Sequence, residues 1–291
     1  MPEGDSYTRA ADRLRPVLVD QTLTYVDGAP VVRKWSQKLV DHAVTGIRTH
    51  GKHLLFDIGS GITIHVWLGM PGRWRIRDAS GRTVAVESER RRGRRVRDPR
   101  GAARLILGTD HHEATCYSAP TVEIERTGVI DRIIERLGPD VLADEFDWEL
   151  FGDRVSKVRP ERSVTDVLLD QRVLAGVGNE YKNEVLFLER LHPLTPFGSL
   201  DPDQIDALAD RSRRLMLPNA HRSGRMTTGM RGAAMESWVF QRTGKPCRRC
   251  GTAIVSEHLG DPFPRITYWC PDCQGPREGT QTPGGTSPPM T

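Results

Sequence analysis

No apolar run in this chain approaches the length of a membrane-spanning helix. The opening Met1-Pro2-Glu3-Gly4-Asp5 is polar where a secretory leader would carry a basic and then apolar start. Cysteine is scarce, with five in 291 residues, and no segment repeats another. Charge of one sign is missing too: 42 basic against 38 acidic side chains leave a net charge of +4. These absences exclude a membrane protein and a repeat array, and they predict a cytoplasmic location. A pI near 8.9 permits polyanion binding without demanding it. With 37% hydrophobic residues the chain can bury a real core.

Four of the five cysteines lie close together as Cys247-Arg-Arg-Cys250 and Cys270-Pro-Asp-Cys273, with nineteen residues between the pairs. Two such knuckles at this spacing can close a tetrahedral thiolate cage around one structural zinc ion. The alternatives are a pair of disulfides, which nothing else in the sequence supports, and accidental spacing, which rarely doubles the motif. The fifth, Cys116, falls in a strand-like run and reads as a small core residue.

Residues 3–19 put Ala10, Ala11, Leu14, Val17 and Leu18 on one side of a helix that stops before Asp20. The period then changes to short β-branched runs: 22–26, 43–49, 53–58 and 61–67, with Gly59-Ser60-Gly61 as a hairpin connection. Further strands are expected at 73–77, 83–86, 103–107 and 114–117. From about residue 145 the pattern turns helical, at 147–155, 164–169, 179–188, 202–216 and 233–239. The segment Arg90–Arg97 is dense in arginine and reads equally as a solvated loop or as a phosphate-following one. From Gly275 onward the chain is rich in Gly, Pro and Thr, which predicts a disordered tail. The expectation is an α+β protein: an N-terminal β-sandwich with flanking helices (1–130), a helical domain (131–240), a four-cysteine zinc ribbon (241–274) and the tail (275–291).

Three sites carry possible chemistry. If Met1 is removed, Pro2 presents a secondary α-amine, partly neutral near pH 7 and able to attack an aldehyde carbon as a nucleophile. Glu3 beside it can shuttle the proton. The plainer reading is a Pro and an acid favouring the start of a helix. Lys52, on a turn after Gly51, is either a surface lysine or an ammonium reaching into a site. In Leu174-Ala-Gly-Val-Gly-Asn179 the glycines let backbone N–H groups approach a phosphate, with Asn179 capping the next helix; the same letters suit an ordinary helical hairpin with a good cap.

Pro2-Glu3-Gly4, the lysine of Gly51-Lys52, the 169–179 segment and the terminal zinc knuckles occur in this order in one family. Over residues 2 to about 274 the chain resembles the formamidopyrimidine-DNA glycosylase/endonuclease VIII family of DNA-repair enzymes. The resemblance implies a helix–two-turns–helix motif in the helical domain and assigns roles. Pro2 would be the Schiff-base nucleophile and Glu3 the general acid/base, while Lys52 would contact phosphate and assist β-elimination. Asn179 would hold the phosphate backbone, and Arg265, five residues before Cys270, would grip phosphate and support δ-elimination. Met70 falls where the family drives an apolar wedge into the emptied base stack. Damaged DNA is the implied partner, bound by a monomer associated with the nucleoid.

Pro2-Glu3-Gly4 and the stretch Cys116–Arg126 are more similar to the endonuclease VIII branch, which places Arg126 at a DNA-contacting arginine and implies oxidised pyrimidines as substrates. Oxidised purines remain the alternative within the family. A non-catalytic DNA binder and an RNA-processing zinc-ribbon protein are the alternatives outside it. Ser6 departs from the family pattern, standing where a second glutamate is common.

Overall fold

The computed structural model describes residues 2–86, 103–222, 224–230 and 235–275. Met1, the arginine-rich segment 90–97 and the tail beyond Gly275 lie outside the described residues.

The N-terminal half is built on two antiparallel sheets. One has the order β1 (Tyr25–Gly28), β7 (Ala103–Gly108), β8 (His112–Tyr117), β5 (Arg73–Asp78), β6 (Thr83–Val86). The other runs β2 (Val44–His50), β3 (His53–Ile58), β4 (Ile62–Trp67), β9 (Thr121–Arg126). Period-two alternation sends Leu54, Phe56 and Ile58 of β3 and Ile62, Ile64 and Val66 of β4 inward, where they meet Trp74 and Ile76 of β5. Phe56 and Trp74 meet across the two sheets as a tilted pair, with ring centroids 5.3 Å apart and the planes at 47°. Cys116 is buried in this core, as its setting predicts.

Helix α1 (Gly4–Leu18) covers one end of the sandwich with Tyr7, Ala10, Ala11, Leu14 and Leu18 buried. In this half three elements escape the sequence pattern: α2 (Pro30–Leu39), strand β9 and the short α3 (Thr127–Ile134). Helix α2 opens on Pro30, whose fixed φ suits the first helical position, but it buries only Val32 and Leu39, so its apolar stripe is short.

The second half holds α4 (Trp148–Ser156), α5 (Val164–Leu169), α6 (Asn179–Leu188) and α7 (Pro202–Ala220) around a separate core that includes Phe151, Leu168, Tyr181, Leu186 and Met216. The helix expected at 233–239 is not formed in its described part. The backbone N–H groups of Trp238, Val239 and Phe240 all donate to the buried Glu184 carboxylate, at 2.7, 2.9 and 2.9 Å. That carboxylate ties the segment down as a turn. A final hairpin, β10 (Val255–Leu259) and β11 (Arg265–Trp269), precedes the second cysteine pair.

Candidate active site

Helix α6 is the hub of the site. Residues 181–187 are all buried, Lys182, Asn183 and Glu184 among them, so this helix packs on every side. Its first backbone N–H groups have no intrahelical partner. The carboxylate that satisfies them belongs to Glu3: Gly178 and Glu180 N–H donate to it at 2.8 Å each, and Tyr181 N–H at 3.5 Å. The cap is therefore an acid 175 residues away for Gly178, and Asn179, expected to be the cap, is the first residue of the helix instead. Gly178 has to be glycine, because a Cβ there would lie 2.3 Å from the Glu3 carboxyl carbon. Gly4 N–H donates to Gly176 C=O at 3.0 Å, which fastens the start of α1 to the same turn.

Two helix N-termini thus meet at Pro2-Glu3. Pro2 is partly exposed, whereas Glu3 is fully buried. The positive ends of both helices favour a carboxylate there.

Lys52 arrives from the β2–β3 turn. Gly51 sits at φ +55 and packs so closely on the Ala175-Gly176 turn that a Cβ would stand 2.8 Å from Ala175 Cβ. The Lys52 ammonium is pushed down to about 8 by burial, with Arg225 and Arg265 also lowering it and Glu3 and Asp5 opposing them. It belongs electrostatically to the same cluster.

A buried ion network lies beneath. Asp5 is fully buried and accepts two 2.7 Å hydrogen bonds from the Arg225 guanidinium, one at 2.9 Å from Arg9 and one at 3.1 Å from Tyr181. Burial pushes Asp5 up, but Arg225 and Arg9 outweigh it and hold its carboxyl below the usual range. Arg225 also donates to Glu180 at 2.8 Å and to Ser6 Oγ at 3.1 Å. Ser6 itself brings only a hydroxyl to this network, where Asp5 is the buried carboxylate of the first helical turn. Glu180 is pushed up to about 7, chiefly by burial, against the opposition of Arg225 and with the Glu3 and Glu184 carboxylates adding to the rise. None of Asp5, Glu180, Lys182 or Arg225 is singled out by sequence pattern. Gly178, ahead of an acid-opened helix, is the one local signal that something approaches there.

From the other side comes the hairpin. Asn179 Nδ2 donates to Ile266 C=O at 2.9 Å, Lys182 Nζ to Thr267 Oγ1 at 2.7 Å, and Tyr268 N–H to Asn183 Oδ1 at 2.9 Å. This zipper holds β11 along α6 and sets Arg265, exposed, at the mouth of the cluster. Asn179 Oδ1 is buried and has no hydrogen-bond partner among the described residues.

Met70 stands on the β4–β5 turn, 72% exposed, between Gly69 at φ +54 and Pro71. The Tyr7 hydroxyl of α1 accepts from Leu68 N–H at 2.9 Å and anchors the base of this turn. Arg126 is placed apart. It is exposed at the end of β9 opposite Ile62, while Thr121 at the other end pairs with Trp67. At about 3.4 Å per residue that puts roughly 17 Å between Arg126 and the Met70 end of the sheet.

The four cysteine sulfurs lie within 4.8 Å of one another. Thiolates around tetrahedral zinc, at about 2.3 Å from the metal, stand about 3.8 Å apart. Cys247 and Cys273 Sγ are 3.9 Å apart, and Cys250 and Cys270 Sγ 3.4 Å. An all-sulfur set of this size fits one structural zinc ion, with no position left for a reacting water.

Residues 1–110 match the model of the formamidopyrimidine-DNA glycosylase N-terminal domain, and residues 137–230 that of the formamidopyrimidine-DNA glycosylase H2TH domain. A Streptomyces coelicolor protein, "Probable endonuclease 8 2", is 37% identical over 286 residues, covering 97% of this chain and 98% of that protein. The chain belongs to the formamidopyrimidine-DNA glycosylase/endonuclease VIII family. A Mycolicibacterium smegmatis relative, named DNA-(apurinic or apyrimidinic site) lyase Nei2, is 36% identical, covering 94% of this chain and 99% of its own length. The fold agrees with that of Lactococcus lactis Fpg solved in complex with DNA containing an abasic site, at a TM-score of 0.73 and 22% identity over 94% of this chain and 100% of that one. Helices α4 to α7 all fall within the residues matched to the H2TH domain, and the four-cysteine module lies beyond it.

Proposed function

We propose that the chain is a bifunctional DNA glycosylase/AP lyase of base excision repair, acting on oxidised bases and more specifically on oxidised pyrimidines. The observation that carries this reading is the convergence of Pro2-Glu3, Lys52, Asn179 and Arg265 from four separate elements onto one cluster. Family membership and the naming of relatives as endonuclease 8 and AP lyase support it.

In this reading the freed Pro2 amine attacks C1′ of an extruded nucleotide. The base departs with the bonding electrons and is protonated, leaving a Pro2 iminium on the opened sugar. That iminium acidifies the C2′ hydrogen. Its removal by a base, with Glu3 moving the proton, expels the 3′-phosphate in β-elimination. A second elimination expels the 5′-phosphate, with Arg265 neutralising the departing oxygen. Lys52, with its ammonium pushed down to about 8 by burial, stays mostly protonated near neutral pH but gives up its proton more readily than a free lysine, which suits a part in proton transfer. Met70 would fill the space the nucleotide leaves, and Arg126 would contact the DNA flank at a distance from the chemistry. The chain would divide as a sandwich domain to 130, a helical domain to 240 and the zinc finger to 274, working as a monomer on nucleoid DNA.

Borohydride trapping on a duplex with an abasic site tests the chemistry. The wild type should form a covalent complex, and Pro2→Gly with Met1 retained should form none; an undiminished complex in that variant would reject the proline amine. A panel of thymine glycol, 5-hydroxyuracil, 8-oxoguanine and formamidopyrimidine tests the substrate. Faster excision of the two purine lesions would move the chain to the other branch.

A further inference from the structure

Lys182 is fully buried on α6, yet its ammonium has a single neutral hydrogen-bond partner, Thr267 Oγ1 at 2.7 Å. Among the described residues no carboxylate comes within ion-pair distance of it. Two acids lie in its electrostatic range, and each is committed elsewhere. Glu3 accepts the three N–H groups at the start of α6. Asp166 of α5 accepts from the Ser163 hydroxyl at 2.6 Å and from Asp261 N–H at 3.2 Å. The remaining charged neighbour is Arg265, of the same sign. A buried ammonium without a counter-charge is strongly disfavoured. A Met or Leu at this position would avoid that cost.

The placement says where the counter-charge would come from. Thr267, which accepts from Lys182, in turn donates to Arg265 C=O at 3.1 Å. Asn179, one helical turn before Lys182, is bonded to the intervening Ile266. Lys182 therefore lies directly behind the two residues that the functional reading gives to phosphate. We propose that Lys182 is a positioning residue of a phosphate clamp: it fastens the strand carrying Arg265 to the helix carrying Asn179, and the anion it lacks inside the protein is a phosphate of bound DNA. It does not touch the phosphate. Its charge acts through the low-dielectric layer formed by Thr267 and the β11 backbone.

The coupling has a sign. Burial pushes the Lys182 ammonium down to about 7, with Glu3 and Asp166 opposing and Arg265 adding. A phosphate arriving at the clamp favours the charged form. Above pH 7 binding then takes up a proton at Lys182, and affinity falls as pH rises through that range.

The inference rests on the DNA-repair reading, and one experiment separates the two. Binding to a duplex with a tetrahydrofuran abasic site, and to its undamaged counterpart, is measured from pH 6 to 8.5 at constant salt. The wild type, Lys182→Met and Lys182→Arg are compared, with zinc content and melting profile as controls. If the wild type does not prefer the abasic duplex, the functional reading fails. If it does, its affinity should fall with pH more steeply than that of either variant, by up to about tenfold per pH unit for one linked proton. Lys182→Met should bind about tenfold more weakly at pH 6.5 and converge on the wild type by pH 8.5. Lys182→Arg, charged throughout, should hold its affinity at pH 8. A role in folding alone would lower affinity without changing the slope. If either zinc-loaded variant keeps the wild-type slope, Lys182 is not the partner and the proposal falls. Lys182→Arg keeps the test open should the neutral variant not fold.

Discussion

The sandwich and the seam around α6 are held together by opposite means. In the sandwich, apolar side chains alternate along strands paired at close range in sequence, and Phe56, Ile64 and Trp74 meet in an apolar core. At the seam, Glu3, Asp5, Lys182, Asn183 and Glu184 are all fully buried, and their partners come from the far ends of the chain. Burial of apolar area is non-directional, so a sandwich tolerates small errors in any one contact. A buried polar network is directional, and removing one member leaves another unsatisfied. The protein concentrates this brittle construction where two helix N-termini, a lysine turn and the cysteine-flanked hairpin are held in register, which is what the proposed use of the Pro2 amine would require.

The sharpest way to break the seam is Arg225→Met. It leaves Asp5 buried with only Arg9 as a cationic partner, and Glu180 with none among the contacts described. Breaking a buried pair from one side costs about 3–5 kcal/mol, and urea denaturation at pH 7.5 would show it. The pH sign is fixed by Asp5 and has the same direction at Glu180, which sits at about 7 and loses the same guanidinium. In the wild type the Asp5 carboxyl is held below the usual value, so its contribution is present above pH 4 and is lost as pH falls through the folded value. With Arg225 gone, burial dominates and the carboxyl rises. The variant's deficit should then be largest near pH 8 and shrink toward pH 5 as Asp5 takes a proton. A deficit independent of pH would mean that Arg225 acts by packing rather than by charge.

The matching change in the sandwich is Ile64→Val, at a fully buried position of β4. Deleting one methyl group there should cost about 0.5–1.5 kcal/mol, with no pH dependence and no change in lyase rate. If this variant lost as much stability as Arg225→Met, the contrast between the two regions would be wrong.

The two regions also differ in how far the sequence reveals them. Period-two runs such as 53–58 and 62–67 announce themselves because each residue's fate depends on its immediate neighbours. So does the cysteine module, whose spacing carries its chemistry. Pro2, Glu3, Lys52, Asn179 and Arg265 are legible through resemblance, and the structure brings all five to one cluster. What stays hidden is what holds them. Asp5 and Arg225 are 220 residues apart, and no local pattern announces that they meet. Asn179 reads as a helix cap because the type fits the place, but the Glu3 carboxylate occupies the capping position first. Helix α2 and strand β9 are missed for another reason: Pro30 suggests a break, and Thr121-Val-Glu-Ile-Glu-Arg126 carries only two apolar residues.

The gentlest probe bears on the border between the regions. Met70 belongs to the sandwich by sequence, yet it is 72% exposed, so its side chain contributes little to the fold. What fixes it is the turn: Gly72 lies so near Leu68 that a Cβ would stand 2.3 Å from the Leu68 carbonyl oxygen, and Leu68 N–H is tied to Tyr7. Met70→Ala should therefore change stability by less than about 0.5 kcal/mol. An apolar side chain held out on a rigid turn is suited to entering a stack from which a base has been withdrawn. The same substitution should then weaken binding to an abasic duplex several-fold while leaving binding to undamaged duplex unchanged. A parallel loss on both duplexes would make Met70 a general contact, and a melting shift of several degrees would show the turn itself to be part of the core.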